Sequence, residues 1–140
     1  MMHRLVFIVE GDTEILLVQK IIVPYLYDLG FTVPITCQTI TTNRKQHKKG
    51  GVVSYGSFRN EVTRTLAQGN VIVTTLIDFF KLPASFPGYT TDSHNISEIE
   101  KAIHGDFNYN PNFIPYIQRH EIEALMFSSM DGFKLVMDLR

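Results

Sequence analysis

Two acids stand where strongly apolar runs end. Glu10 closes Leu5-Val6-Phe7-Ile8-Val9, and Asp78 closes Val71-Ile72-Val73-Thr74-Thr75-Leu76-Ile77. A charge set against that much hydrocarbon must be solvated, paired or metal-bound. If the two runs are neighbouring strands, the carboxylates converge and repel. A hard cation with a preference for oxygen relieves that repulsion. Mg²⁺ takes one or two carboxylates and fills its shell with waters and phosphate oxygens, so the pair suits phosphate chemistry. The plainer alternative, that both acids cap nearby helix N-termini, stands level with it on strand-end position alone.

Further candidates surround this pair. Glu14 lies four residues after Glu10, in the first turn of the following helix, where it faces the same site or serves the helix dipole. Arg119-His120-Glu121-Ile122-Glu123 places two acids two apart at a strand-to-helix junction. There His120 is a candidate metal ligand or proton shuttle. An exposed polar helix start is the plainer reading of that segment. Arg44, Lys45, Lys48 and Lys49 form the one dense basic cluster, a candidate grip on a nucleic-acid backbone or simply a solvated loop. No G-x-x-x-x-G-K-[ST], G-x-S-x-G or H-E-x-x-H string occurs, which argues against a P-loop ATPase, a serine hydrolase elbow and a zincin. Cys37 has no neighbouring His and reads as a buried, inert thiol.

The elements that must position these residues alternate. Leu5 to Val9 reads as a strand buried on both faces. Gly11 allows a tight turn and Asp12 is the expected N-cap. A helix is predicted from Thr13 to Leu29, with Ile15, Val18, Ile22, Leu26 and Leu29 on one stripe, a kink or split at Pro24, and a stop at Gly30. Phe31 to Ile40 reads as a strand and Asn43 to Gly51 as a polar loop. Phe58 to Leu66 reads as a helix capped by Ser57 and ended by Gly69. Val71 to Ile77 is the strongest strand signal. Residues 79–95 form a long irregular loop, of a kind that is often functional. A helix follows from Ile96 to His104, with Ser97 and Glu100 at capping-box spacing. A strand runs from Asn112 to Ile117, and from Arg119 the pattern is helical to the end, with a break near Asp131-Gly132. The order β-α-β-α-β-α-β-α predicts an α/β domain with a mainly parallel four-stranded sheet flanked by helices. The helical pattern still runs at Arg140 without a stop signal, as in a fragment of a longer protein.

Composition sets the bounds. The 140 residues suit a single domain, residues 1–140, and 44% hydrophobic against 19% charged residues describes a globular chain. Fourteen acids against thirteen Lys plus Arg exclude a bulk polyanion binder, so any nucleic-acid contact is local. The apolar run before Glu10 is too short for a signal peptide or a membrane span. One cysteine excludes an internal disulfide framework and favours a reducing compartment, hence the cytoplasm.

Three blocks in order carry a resemblance. Ile8-Val9-Glu10-Gly11-Asp12-Thr13-Glu14 is similar to the E-G-x-T-E opening of Toprim-type domains. Thr74 to Pro83 stands where their D-x-D follows the third strand, and Phe113 to Leu125 forms a third block. With Lys49-Gly50-Gly51-Val52, these blocks resemble the RloG-like bacterial proteins of restriction and defence loci, often encoded beside an ATPase, over roughly residues 5 to 130. The resemblance implies a Toprim-like (Rossmann-like) fold and a site for Mg²⁺ or Mn²⁺ held by Glu10 and Asp78. It departs at Phe80, which stands where the second Asp of D-x-D falls; Glu121 or Glu123 is the implied replacement. Two functions follow. One is a metal-dependent nuclease or phosphoryl-transfer enzyme acting on DNA or RNA, with Glu14, His120, Glu121 or Glu123 completing the site. The other is a non-catalytic partner module of a defence ATPase. A flavodoxin-like nucleotide binder fits less well, because Glu10 repels phosphate.

Overall fold

The computed structural model describes residues 3–40 and 54–119. The basic cluster Arg44, Lys45, Lys48 and Lys49, the loop read at 43–51, and His120, Glu121 and Glu123 with the helix expected after Arg119 lie outside the described residues.

Five strands and four α-helices are described: β1 (Arg4–Val9), α1 (Asp12–Leu17), α2 (Val23–Asp28), β2 (Ile35–Thr39), α3 (Tyr55–Leu66), β3 (Val71–Asp78), α4 (Ile96–Asp106), β4 (Phe113–Ile114) and β5 (Ile117–Gln118). The sheet order is β2-β1-β3-β4, with β5 also beside β3, and every pairing is parallel. This is the expected Rossmann-like α/β architecture. Alternation along β1 explains its two-sided burial. Val6 and Ile8 join Phe58, Val62, Ile99 and Ile103 of α3 and α4 on one face. Phe7 and Val9 meet Leu17, Val18, Ile21 and Ile22 on the other.

The fourth row differs from the strand read at Asn112 to Ile117. Pro115 offers no N–H to a ladder, and the row splits into β4 and β5, one residue longer at Gln118. The register stays in step across the gap, Val73 with Phe113 and Ile77 with Ile117. Thr75 fills it: its buried Oγ1 accepts from the Tyr116 N–H at 2.8 Å and donates to the Tyr116 carbonyl at 2.9 Å.

The first helix splits as Pro24 predicts, through a π-helical turn over Val18–Ile22. That turn carries extra residues and shifts the phase of the apolar stripe. Consequently no residue of α2 is fully buried, although Val23 packs in part against the core, and Leu29, expected on the stripe, is 66% exposed. Gly30 ends the helix with a φ of +97°. Only Ile35–Thr39 of the longer strand read at Phe31 to Ile40 pairs with β1.

Three expected caps are placed differently. Gly11, not Asp12, is the N-cap of α1, and Asp12 enters its first turn. Ser54, not Ser57, caps α3 and accepts from the Ser57 N–H at 3.2 Å. The Ser97–Glu100 box does not form; α4 begins at Ile96 behind Asn95, and Glu100 accepts from the Ile117 N–H at 2.8 Å instead.

The loop after β3 is anchored by its own aromatics. Phe79, Leu82 and Phe86 enter the core, Phe86 against Tyr55 and Phe58 with ring centroids 4.9 and 5.2 Å away. Gly88, at φ +70°, lies so close to α4 that a Cβ there would sit 3.1 Å from that of Ala102. Among the described residues, no helix is long and apolar enough to cross a membrane.

Candidate functional site

The site begins with topology. From β1 the chain winds outward to β2; from β3 it winds the other way to β4. The crevice at the carboxyl ends of β1 and β3 is therefore the switch point, where open α/β sheets take ligands. Glu10 leaves β1 there, and Asp78 ends β3. The two strands are neighbours, in register from Arg4 with Val71 to Val9 with Leu76.

The acids are also linked. Glu10 Oε1 accepts the backbone N–H of Asp78 at 2.8 Å. Asp78 is 3% exposed, and its Oδ1 accepts the Phe80 N–H at 3.0 Å, turning the chain into a single 3-10 turn over Phe79–Lys81. The capping alternative thus holds for Asp78 at that short turn. Glu10 is tied to the neighbouring strand instead.

Burial pushes the Glu10 carboxyl up from 4.5 to about 7. The Asp78 N–H opposes the rise, repulsion from Glu14 and Asp78 adds to it, and Lys81 opposes it. Glu14 is 6% exposed. It is buried in the first turn of α1, within electrostatic reach of both Glu10 and Cys37, rather than serving the helix dipole from the surface. Cys37 is half-buried, less than its sequence context suggests. Burial, then Glu14, pushes its thiol up to about 11, so it is protonated at neutral pH and suited to no nucleophilic role.

One site residue escaped the sequence reading. Gln118 ends β5, pairs with Asp78 and is 7% exposed. Its Oε1 accepts the Tyr116 hydroxyl at 2.9 Å. Its signal was present: a polar residue closing an apolar run, as at Glu10 and Asp78, but one position beyond the strand end read at Ile117.

Glu10, Glu14 and Asp78 are thus brought together, whereas Glu121, Glu123, His120 and the basic cluster fall outside the described residues. Among the described residues, no group of three or more His, Cys, Asp or Glu is arranged to hold a metal ion. Phe80, at the position of the second D-x-D acid, is 63% exposed. Of the aromatics in the loop after β3, Phe80 and Tyr89 are exposed, whereas Phe79 and Phe86 are core residues.

Fold and site together define an α/β protein with an acidic pair, buried Asp78 and half-buried Glu10, at the switch point of a parallel sheet. The chain belongs to the family described as "Domain of unknown function (DUF4276)", whose model matches residues 9–139. Comparison with curated proteins and with solved structures finds no match.

Proposed function

We propose that this chain is a divalent-cation-dependent nuclease or related phosphoryl-transfer enzyme of a bacterial defence or DNA-processing system. The observation that carries this reading is the Glu10–Asp78 pair at the switch point: the Glu10 carboxylate accepts the Asp78 backbone N–H, and the Glu10 carboxyl is pushed up to about 7. The resemblance of the three sequence blocks to Toprim-type proteins supports it; the family's description names no activity.

The donor chemistry fits Mg²⁺ or Mn²⁺, since both side chains offer hard carboxylate oxygens and one resists ionisation without a cation. Glu10 and Asp78 would hold the ion, with Glu121 as the further ligand that the resemblance implies. A bound ion of this kind polarises a phosphodiester and lowers the pKa of a coordinated water. Glu10 must lose its proton to serve as a ligand, so binding is coupled to proton release around neutral pH. Glu14, His120 or Glu123 is positioned in sequence to act as general base. Arg44, Lys45, Lys48 and Lys49 would hold the DNA or RNA backbone. The protein would work in the cytoplasm, where Cys37 stays reduced.

A second reading is a non-catalytic partner module of a defence ATPase. It is favoured by Phe80, an exposed aromatic where the resemblance calls for an acid. Calorimetric titration of Mg²⁺ and Mn²⁺ into the protein and its Glu10→Ala variant separates the two. Saturable binding lost in the variant supports the enzyme. No binding up to several millimolar sinks it and leaves the partner module.

A further inference from the structure

We infer that the outer edge of β2 is a self-association surface, on which a second copy of this chain pairs β2 against β2, antiparallel, about a two-fold axis at Cys37. This surface belongs to the sheet border and owes nothing to the metal-dependent reading.

β2 stands at one end of the strand order, with β1 on its inner side. Register and bonding fix which of its backbone groups face outward. Leu5 pairs with Ile35 and donates its N–H to the Pro34 carbonyl at 2.9 Å; at the other end the Ile40 N–H donates to the Val9 carbonyl at 3.1 Å. Along a parallel ladder, successive residues direct their N–H and C=O groups to alternate sides. Thr36 and Gln38 therefore bond inward to β1, while Ile35, Cys37 and Thr39 direct three N–H and three C=O groups outward. Among the described residues, no strand meets them. Sheet edges are commonly guarded by proline, by charge or by brevity. The opposite border has Pro115 between pieces two residues long, whereas β2 is a five-residue run, Ile-Thr-Cys-Gln-Thr, with neither charge nor proline.

A second copy satisfies every one of these groups. An antiparallel pair centred on Cys37 sets Cys37 opposite its own image and Ile35 opposite Thr39. In such hydrogen-bonded pairs each residue gives one bond and takes one, so the three donors and three acceptors of each strand are all used. The contact is isologous and closes at two copies. Charge permits it, because Asp28 is the one charged residue from Val23 to Thr39, and none lies on the strand. Area points the same way. Tyr25, Tyr27, Leu29 and Phe31, in the segment leading into β2, are exposed. Together they offer on the order of 400 Å² per copy, about half of the ~800 Å² that a standard interface buries on each partner, before the strand itself is counted. Val23, which opens α2, lines a cavity of about 360 Å³ with Ile35, Thr36 and Cys37, so that helix begins beside the strand.

The test joins analytical ultracentrifugation to residue-resolved amide exchange, on the wild type and Cys37→Pro. Proline at position 37 removes an outward N–H and leaves the bonds to β1 in place, as an edge position allows. The wild type is expected to sediment as a dimer, with the amides of Ile35, Cys37 and Thr39 exchanging as slowly as those of Thr36 and Gln38, and to lose protection at the three outward amides alone on dilution. Cys37→Pro is expected to dimerise at least tenfold more weakly, with Ile35 and Thr39 fast while Thr36 and Gln38 stay slow. Should the variant fail to fold, the dilution series on the wild type decides alone. A wild type that stays monomeric at several hundred micromolar overturns the inference, whether its outward amides exchange fast or are covered by another part of the same chain. So does a dimer in which only the outward amides exchange fast, since its interface then lies elsewhere. A folded Cys37→Pro protein that dimerises as tightly as the wild type overturns it as well.

Discussion

Glu10 should make the protein less stable as pH rises through neutrality, and Glu10→Gln should remove that dependence. Its carboxyl titrates near 4.5 in an ordinary environment and near 7 in the fold. Between these values the folded chain holds a proton that the unfolded chain has released, so stability falls as pH increases. Below 4.5 both states are protonated and no penalty exists; above 7 the full penalty applies. A displacement of this size corresponds to about 3 kcal/mol, a large share of the total for a domain of this length. Gln at position 10 keeps an oxygen for the Asp78 N–H, which separates the charge from the hydrogen bond. Urea unfolding at pH 5, 6, 7 and 8 measures the effect. The variant should exceed the wild type by less than about 1 kcal/mol at pH 5 and by up to about 3 kcal/mol at pH 8. The other shifted acids, Glu100, Asp92 and Asp106, are common to both proteins and cancel in the difference. Millimolar Mg²⁺ at pH 8 should stabilise the wild type and not the variant. Parallel stability curves for the two proteins would refute the argument that burial of Glu10 strains this site.

Three further outcomes are expected. Asp78→Asn keeps an oxygen for the Phe80 N–H and should fold normally, yet it should lose Mn²⁺ binding in a calorimetric titration. Thr75→Val removes both side-chain bonds to the Tyr116 backbone and should cost about 2 kcal/mol in urea unfolding, with faster amide exchange at Tyr116. Glu14→Gln removes a negative charge near Cys37, so alkylation of that thiol by iodoacetamide at pH 8 should accelerate relative to the wild type.

The parts of the fold legible in sequence are those governed by burial on both faces. Leu5 to Val9 and Val71 to Ile77 announce themselves because helices cover both sides of these strands, and the acids that close them fall at the carboxyl edge for the same reason. Local rules read less well where a distant partner intervenes. Glu100 has the spacing of a capping box but takes the Ile117 N–H, a contact that no local pattern contains. The stripe from Ile15 to Leu29 assumes a uniform helix, and the π-helical turn before Pro24 breaks that assumption. Within the site, Glu10 and Asp78 were legible from strand ends alone. Gln118 was not, because its relation to Asp78 exists only in the register of β5 on β3. Glu14 was visible as a neighbour in sequence, but its burial depends on how α1 docks.

The interrupted fourth row has a consequence for solubility. A regular strand at the border of a sheet presents an unbroken line of donors and acceptors on which a foreign chain can grow. Here the middle of the row is Pro115, which has no N–H to offer, and the pieces on either side are two residues long. Thr75 secures the inner side of the row by hydroxyl contacts rather than a continuous ladder. Among the described residues, the sheet thus gains a fourth row whose line of donors is broken at Pro115, a break of the kind that discourages edge-to-edge pairing.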